Sequence, residues 1–85
     1  MKTKEEILSK IQALLEETFE LKPEALVPEA NLYEDLDLDS LDAIDLAAEL
    51  SSIGIKLKEE EMRAIRTISD IVDILYHKLN PNHVG

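Results

Sequence analysis

Apolar residues recur at helical spacing in several stretches of this chain, each bracketed by residues that start or stop a helix. In the first, Ile7, Ile11, Leu14 and Leu15 form the stripe, with Leu8 and Phe19 widening it. Thr3 and Glu6 precede it in a capping-box pattern, so the helix is expected to begin after Thr3. It is expected to end near Leu21, because Pro23 disfavours helical backbone at Lys22. From Lys22 to Leu38 no period holds, and Pro23, Pro28 and Asn31 punctuate the stretch. A loop this long in so small a chain often carries function. A second helix fits Ser40 to about Ser52, with Asp39 or Ser40 as its cap and Gly54 marking its end. A short third segment, about Lys58 to Ile65, offers Leu57, Met62 and Ile65 to a core. The last helix has Thr67 as its cap and Ile68, Ile71, Val72, Leu75 and Leu79 as its stripe, and Asn80-Pro81 stops it. No internal repeat, low-complexity segment or strand pair is evident. The pattern predicts an all-α fold, a small antiparallel four-helix bundle of three main helices and one short one.

With 85 residues the chain is expected to form a single domain, with its core over about 3–79 and a frayed tail at 80–85. A domain of this size hides only ~60% of its extended-chain surface, so no deep catalytic cavity is expected and any chemistry should lie near the surface. Charge sharpens this picture. Nine Lys and Arg stand against 19 Asp and Glu, a formal net charge of −10 at pH 7. Such a surface repels phosphate backbones and anionic lipid heads, and steers instead toward basic patches on protein partners. Nucleic-acid and membrane-surface roles are disfavoured. Hydrophobic residues make up 45% of the chain, too many for a disordered acidic tail. The absence of cysteine removes disulfides, thiolate metal sites and cysteine nucleophiles. Met1-Lys2-Thr3 leads straight into Lys4-Glu5-Glu6, unlike a signal peptide, and no apolar run approaches the ~20 residues of a membrane span. A cytoplasmic, monomeric protein is expected.

The chemically informative stretch runs from Asp35 to Leu46, with Asp39-Ser40-Leu41 at the start of the second helix. Here the chain resembles the acyl carrier protein family, whose attachment motif is Asp-Ser-Leu at that place. Asp42, Ile44, Asp45 and Leu46 continue the family's pattern, and the loop lengths and the Arg66-Thr67-Ile68 entry to the last helix extend the likeness over nearly the whole chain. Asp-Ser-Leu alone is a weak signal; its position within an acidic four-helix pattern makes it specific. The resemblance implies a covalent 4'-phosphopantetheine arm on Ser40 that holds acyl intermediates as thioesters. It implies a carrier for fatty-acid, polyketide or related biosynthesis, not an enzyme. The implied partners are a phosphopantetheinyl transferase and acyl-transferring and condensing enzymes with basic docking patches.

The residues themselves suit this role. A serine at a helix N-terminus presents its hydroxyl to solvent, and a phosphodiester there meets free backbone N–H groups and the favourable end of the helix dipole. No base adjoins Ser40 in the sequence, since the histidines are His77 and His83, so activation must come from the transferase. The alternative is that Ser40 is merely a helix cap. On a helical wheel Asp42, Asp45 and Glu49 form an acidic stripe bordered by Leu41 and Ala48, while Ala43, Leu46, Ala47 and Leu50 are expected to point into the bundle. Charge that steers an encounter beside an apolar residue that supplies contact area is the composition of a docking face, and Asp39, Leu41, Asp42, Asp45, Ala48 and Glu49 are its candidate residues. A simple solvated helix face is the alternative. Ala43, Ala47 and Ala48 either leave space for an acyl chain, as the resemblance implies, or permit close helix packing.

Certain positions depart from the family pattern. Asp37 stands where a glycine is usual, Ser51-Ser52 replaces an acidic pair, and Gly54 lies about where a bulky aromatic residue is usual. These point toward a specialised rather than a central fatty-acid carrier. Two further functions compete. Asp35, Asp37 and Asp39 match the first ligand positions of a calcium-binding loop, but Ser40 replaces its turn glycine and Leu46 its bidentate glutamate, leaving at most a weak divalent-ion site. No metal centre is expected. An acidic adaptor without a prosthetic group would explain the charge but gives Asp39-Ser40-Leu41 no role. Asp73 and His77 read as an ordinary surface helix pair, and no nucleophile accompanies either histidine.

Overall fold

The computed structural model describes residues 3–80. Its elements are α1 (Lys4–Phe19), a 3₁₀ turn at Pro23–Ala25, α2 (Ser40–Ser52), α3 (Glu59–Ala64) and α4 (Ile68–Leu79). This is the expected bundle of three main helices and one short one. The expected tail beyond Asn80 lies outside the described residues.

Each long helix begins where a side chain can satisfy its orphan N–H groups. Thr3 accepts the Glu6 N–H at 3.2 Å, and the Glu6 carboxylate turns back to the Thr3 N–H. Thr67 and Asp70 repeat the arrangement at α4, at 3.1 Å and 3.0 Å. A cap of this kind contributes about 1 kcal/mol. α1 stops at Phe19, short of the expected Leu21, because Glu20 turns into the left-handed region at φ 55° before Pro23 can act. At the end of α2 the Gly54 N–H donates to the Ser51 carbonyl at 3.0 Å and the Ile55 N–H to the Leu50 carbonyl at 2.9 Å. That reversal needs a left-handed residue, and Gly54 supplies it at φ 90°. Ile55 and Leu50, on either side of the turn, are both buried in the core.

α1 packs most extensively along α4, and more lightly on α2. Ile7, Ile11 and Leu15 meet Ile68, Ile71, Val72 and Leu75 in the core, with Leu46 and Leu50 from α2. The stretch without a period proves to be part of this core: Leu26, Ala30, Leu32 and Leu36 are all buried. It is stitched down by backbone. The Leu32 N–H donates to the Arg66 carbonyl at 2.8 Å and the Ile68 N–H to the Ala30 carbonyl at 3.2 Å, giving an isolated bridge at Asn31 and Thr67. The Gln12 side-chain amide donates to the Leu26 carbonyl at 2.6 Å. The Asn31 side-chain oxygen accepts the Tyr33 and Glu34 N–H groups at 2.9 Å and 3.0 Å, folding the next turn on itself. The loop therefore arrives at Ser40 from a held position.

Candidate functional site

The structure assigns the cap of α2 to Asp39. Its carboxylate accepts the Asp42 N–H at 3.0 Å, and the Asp42 carboxylate accepts the Asp39 N–H at 3.1 Å. Ser40 is thus the first residue inside the helix, exposed, with its hydroxyl in no hydrogen bond among the described residues. A pure capping role for Ser40 is displaced, because Asp39 fills it.

Around α2 successive residues turn by ~100°, and burial follows that turn. Leu46 and Leu50 are buried in the core. Ala43, Ala47, Ser40 and Ile44 come next around the wheel and line a cavity of about 470 Å³, whose other walls are Tyr33 from the loop and Glu59, Met62 and Arg63 from α3. Beyond them Ala48, Leu41 and Asp45 face solvent, with Leu41 70% and Ile44 63% exposed, and then exposed Glu49 and half-buried Asp42. The expectation that Ala43 and Ala47 point into the bundle is corrected. Only Leu46 and Leu50 do, while the two alanines floor a surface cleft that opens beside Ser40. Ala48 lies outside the cleft.

Of the six candidate docking residues, Leu41, Asp42, Asp45, Ala48 and Glu49 fall within an arc of ~120° on α2, whereas Asp39 stands ahead of the helix as its cap, it and Asp42 being engaged with each other's backbone. Sequence reading passed over Ile44 as a surface residue. The wheel carried the signal, since Ile44 lies ~60° from Leu41. Nothing in the sequence marked Tyr33, Met62 or Arg63 as neighbours of Ser40.

The carboxylates ahead of α2 do not converge. Asp35 accepts the Asn31 N–H at 2.7 Å, Asp39 caps α2, and Asp37 sits in the left-handed region at φ 57°. Among the described residues no group of acidic or histidine side chains is placed to hold a metal ion. Asp73 pairs with Lys4 at 3.0 Å rather than with His77, and exposed His77 lies edge-on to Tyr76. His83 lies outside the described residues. No helix among them is long and apolar enough to cross a membrane.

An exposed, uncommitted serine hydroxyl at the head of a helix, opening onto an apolar cleft in an acidic bundle, suits a protein that bears a tethered group. Comparison with known proteins gives that class. Residues 9–75 match the family described as phosphopantetheine attachment site. Acyl carrier protein 2 of Ralstonia nicotianae is 44% identical over 71 residues, 82% of this chain and 88% of that protein. The acyl carrier protein of Thermosynechococcus vestitus is 36% identical over 75 residues, 87% and 93% of the two chains. A meromycolate extension acyl carrier protein of Mycobacterium tuberculosis is 34% identical over 71 residues, covering 82% of this chain and 62% of that protein. The chain belongs to the acyl carrier protein family. On that membership it is a carrier and not a catalyst, and its prosthetic group is covalently held 4'-phosphopantetheine. Its partners include a phosphopantetheinyl transferase and enzymes that handle acyl groups.

The site fits that group. A phosphodiester at the head of α2 would meet the partial positive charge of a 13-residue helix, and the adjoining cleft is walled largely by Ala43, Ile44, Ala47 and Met62.

Proposed function

We propose that Ser40 bears the phosphopantetheine arm and that the chain, as one domain, presents acyl thioesters on it to enzymes of fatty-acid, polyketide or related biosynthesis. The observation that carries this reading is the free, exposed hydroxyl of Ser40 beside the cleft, with Asp39 relieving it of the capping task. The arm supplies a thiol for thioester formation. The chain's own residues do the rest: Ser40 offers the attachment oxygen, Asp39 and Asp42 hold the helix start, and Ala43, Ala47 and Met62 give apolar shelter to the part of the cargo nearest the protein. Leu41, Asp45, Ala48 and Glu49, with Asp39 and Asp42, form the docking face for basic partners. We place the protein in the cytoplasm as a monomer, and with carriers dedicated to one pathway. The likeness to a carrier named for meromycolate extension supports that last reading.

Incubation with coenzyme A, magnesium and a broad-range phosphopantetheinyl transferase should add one phosphopantetheine mass. Ser40→Ala should abolish the gain and leave the helical circular-dichroism signal unchanged, because Asp39 and not Ser40 caps α2. With no cysteine in the chain, the only titratable thiol is the arm's. Modification that persists in Ser40→Ala would refute the assignment.

A further inference from the structure

α3 forms one wall of the cleft, yet it is the least anchored helix. It has six residues, none of them fully buried, and a helix that short is not stable alone. Its neighbours Ile55 and Ile65 are buried, but within α3 only Met62 and Glu61 are shielded from solvent even in part. Glu59, Met62 and Arg63 fall within ~100° of one another on the helix and face the cleft. Glu61 falls on the opposite side. There its carboxylate meets the Lys78 ammonium on α4 at 2.9 Å, and both side chains are about a quarter exposed. Among the described residues this is the only ion pair that joins α3 to another element, since Arg63 pairs with Glu59 inside α3 and Lys4–Asp73 joins α1 to α4. The Glu61 carboxylate also accepts the Lys58 N–H at 2.8 Å, which fastens the start of α3 to the same point.

We propose that Glu61 and Lys78 are positioning residues for the cleft: their bridge latches α3 to α4 from behind and so holds the Glu59–Met62–Arg63 wall against α2. Released, α3 swings away on the loops that flank it and the cleft opens between Met62 and Ala43–Ala47. On the carrier reading above, that opening is how a chain on the arm passes between shelter and a partner enzyme. The latch itself does not depend on Ser40 being modified.

The test uses the unmodified full chain, so failure of the Ser40 assignment would leave it untouched. Amide hydrogen exchange is followed at Met62, whose N–H donates to the Lys58 carbonyl, and at core amides such as Leu15 and Leu75. Lys78→Gln should speed exchange at Met62 by about two- to fivefold, as expected for a partly shielded ion pair, with core amides unchanged. Glu61→Gln, which keeps an oxygen for the Lys58 N–H, should do the same. The double variant should exceed neither single, because both remove one interaction. Lys78→Arg should restore protection, and Asp73→Asn, which breaks the α1–α4 pair, should leave Met62 unaffected. A ¹³C-methyl label on methionine reads the cleft directly, and a soluble paramagnetic agent should relax the Met62 methyl faster in both glutamine variants. Unchanged Met62 exchange in both single variants, or acceleration shared equally by Leu15 and Leu75, would overturn the latch.

Discussion

Asp37 holds a backbone conformation that few residues accept. At φ 57° a side chain normally costs ~1–2 kcal/mol, less for aspartate, while glycine adopts the region freely. The departure from the family's glycine is therefore conformational, and the carboxylate of Asp37 makes no hydrogen bond among the described residues. Glycine also loses more entropy on folding, which offsets part of the gain. Asp37→Gly should leave urea stability unchanged or raise it by up to about 1 kcal/mol, and Asp37→Val should lower it by about 1–2 kcal/mol. A glycine variant clearly less stable than the parent would show that the aspartate side chain contributes something beyond backbone tolerance. Gly54 is the same argument reversed. At φ 90° it closes α2, and nothing stands within 4 Å of an added Cβ, so the obstacle to a larger residue there is backbone and not space.

At the scale of elements, α2 has three sectors: Leu46 and Leu50 in the core, Ser40, Ala43, Ile44 and Ala47 on the cleft, and Leu41, Asp45, Ala48 and Glu49 toward solvent. If the solvent sector docks basic partners, Asp45→Lys should slow transferase modification of Ser40 by about tenfold or less, through association, and added salt should narrow the gap. Leu41→Ala should weaken the complex with little change in salt dependence, since its contribution is buried apolar area. Ile44→Ala should behave like Leu41→Ala. Glu17 on α1 serves as the control off this sector, since it is exposed and forms no ion pair among the described residues. Equal losses from Asp45→Lys and Glu17→Lys would mean that overall charge, and not this sector, sets recognition.

For the whole molecule the net charge of −10 sets the balance. Repulsion among exposed carboxylates opposes compaction, and salt screens it over ~8–10 Å at physiological ionic strength. The melting temperature should therefore rise with moderate salt, even as screening loosens the Glu61–Lys78 bridge locally. Acid acts on particular groups. Glu61 lies below the ordinary glutamate value of 4.5 because it accepts the Lys58 N–H and pairs with Lys78. For Asp70 burial alone would raise the value above the ordinary 3.8, but donation from the Arg66 and Thr67 N–H groups and the Thr67 hydroxyl outweighs it and the net shift is downward. A carboxyl depressed in the folded state stabilises it above its unfolded value and loses that contribution as pH falls through the folded one. Thermal stability should decline as pH drops from about 4.5 downward, and Asp70→Asn should shallow that decline. An Asp70→Asn profile parallel to the parent's would show that other carboxylates govern acid unfolding.

Local chemistry made much of this protein legible in one dimension. Thr3 with Glu6, Thr67 with Asp70, Gly54, and the stripes of α1 and α4 act within a few residues, so spacing alone locates the helices. The same locality exposed Ser40 as a candidate, because Asp39-Ser40-Leu41 sits where a helix begins. What spacing could not decide is which surface the neighbours make. Leu26, Ala30, Leu32 and Leu36 are buried without a common period, in a loop whose backbone is held by distant residues, Ala30 by Ile68, Leu32 by Arg66 and Leu26 by the Gln12 side chain. Ala43 and Ala47 belong to a cleft and not to the core only because α3, short and set back, leaves space above them. Tyr33 and Met62 join Ser40 for the same reason. A helix's faces are written in its own sequence, but what each face meets depends on residues elsewhere, and only the packed structure brings those together.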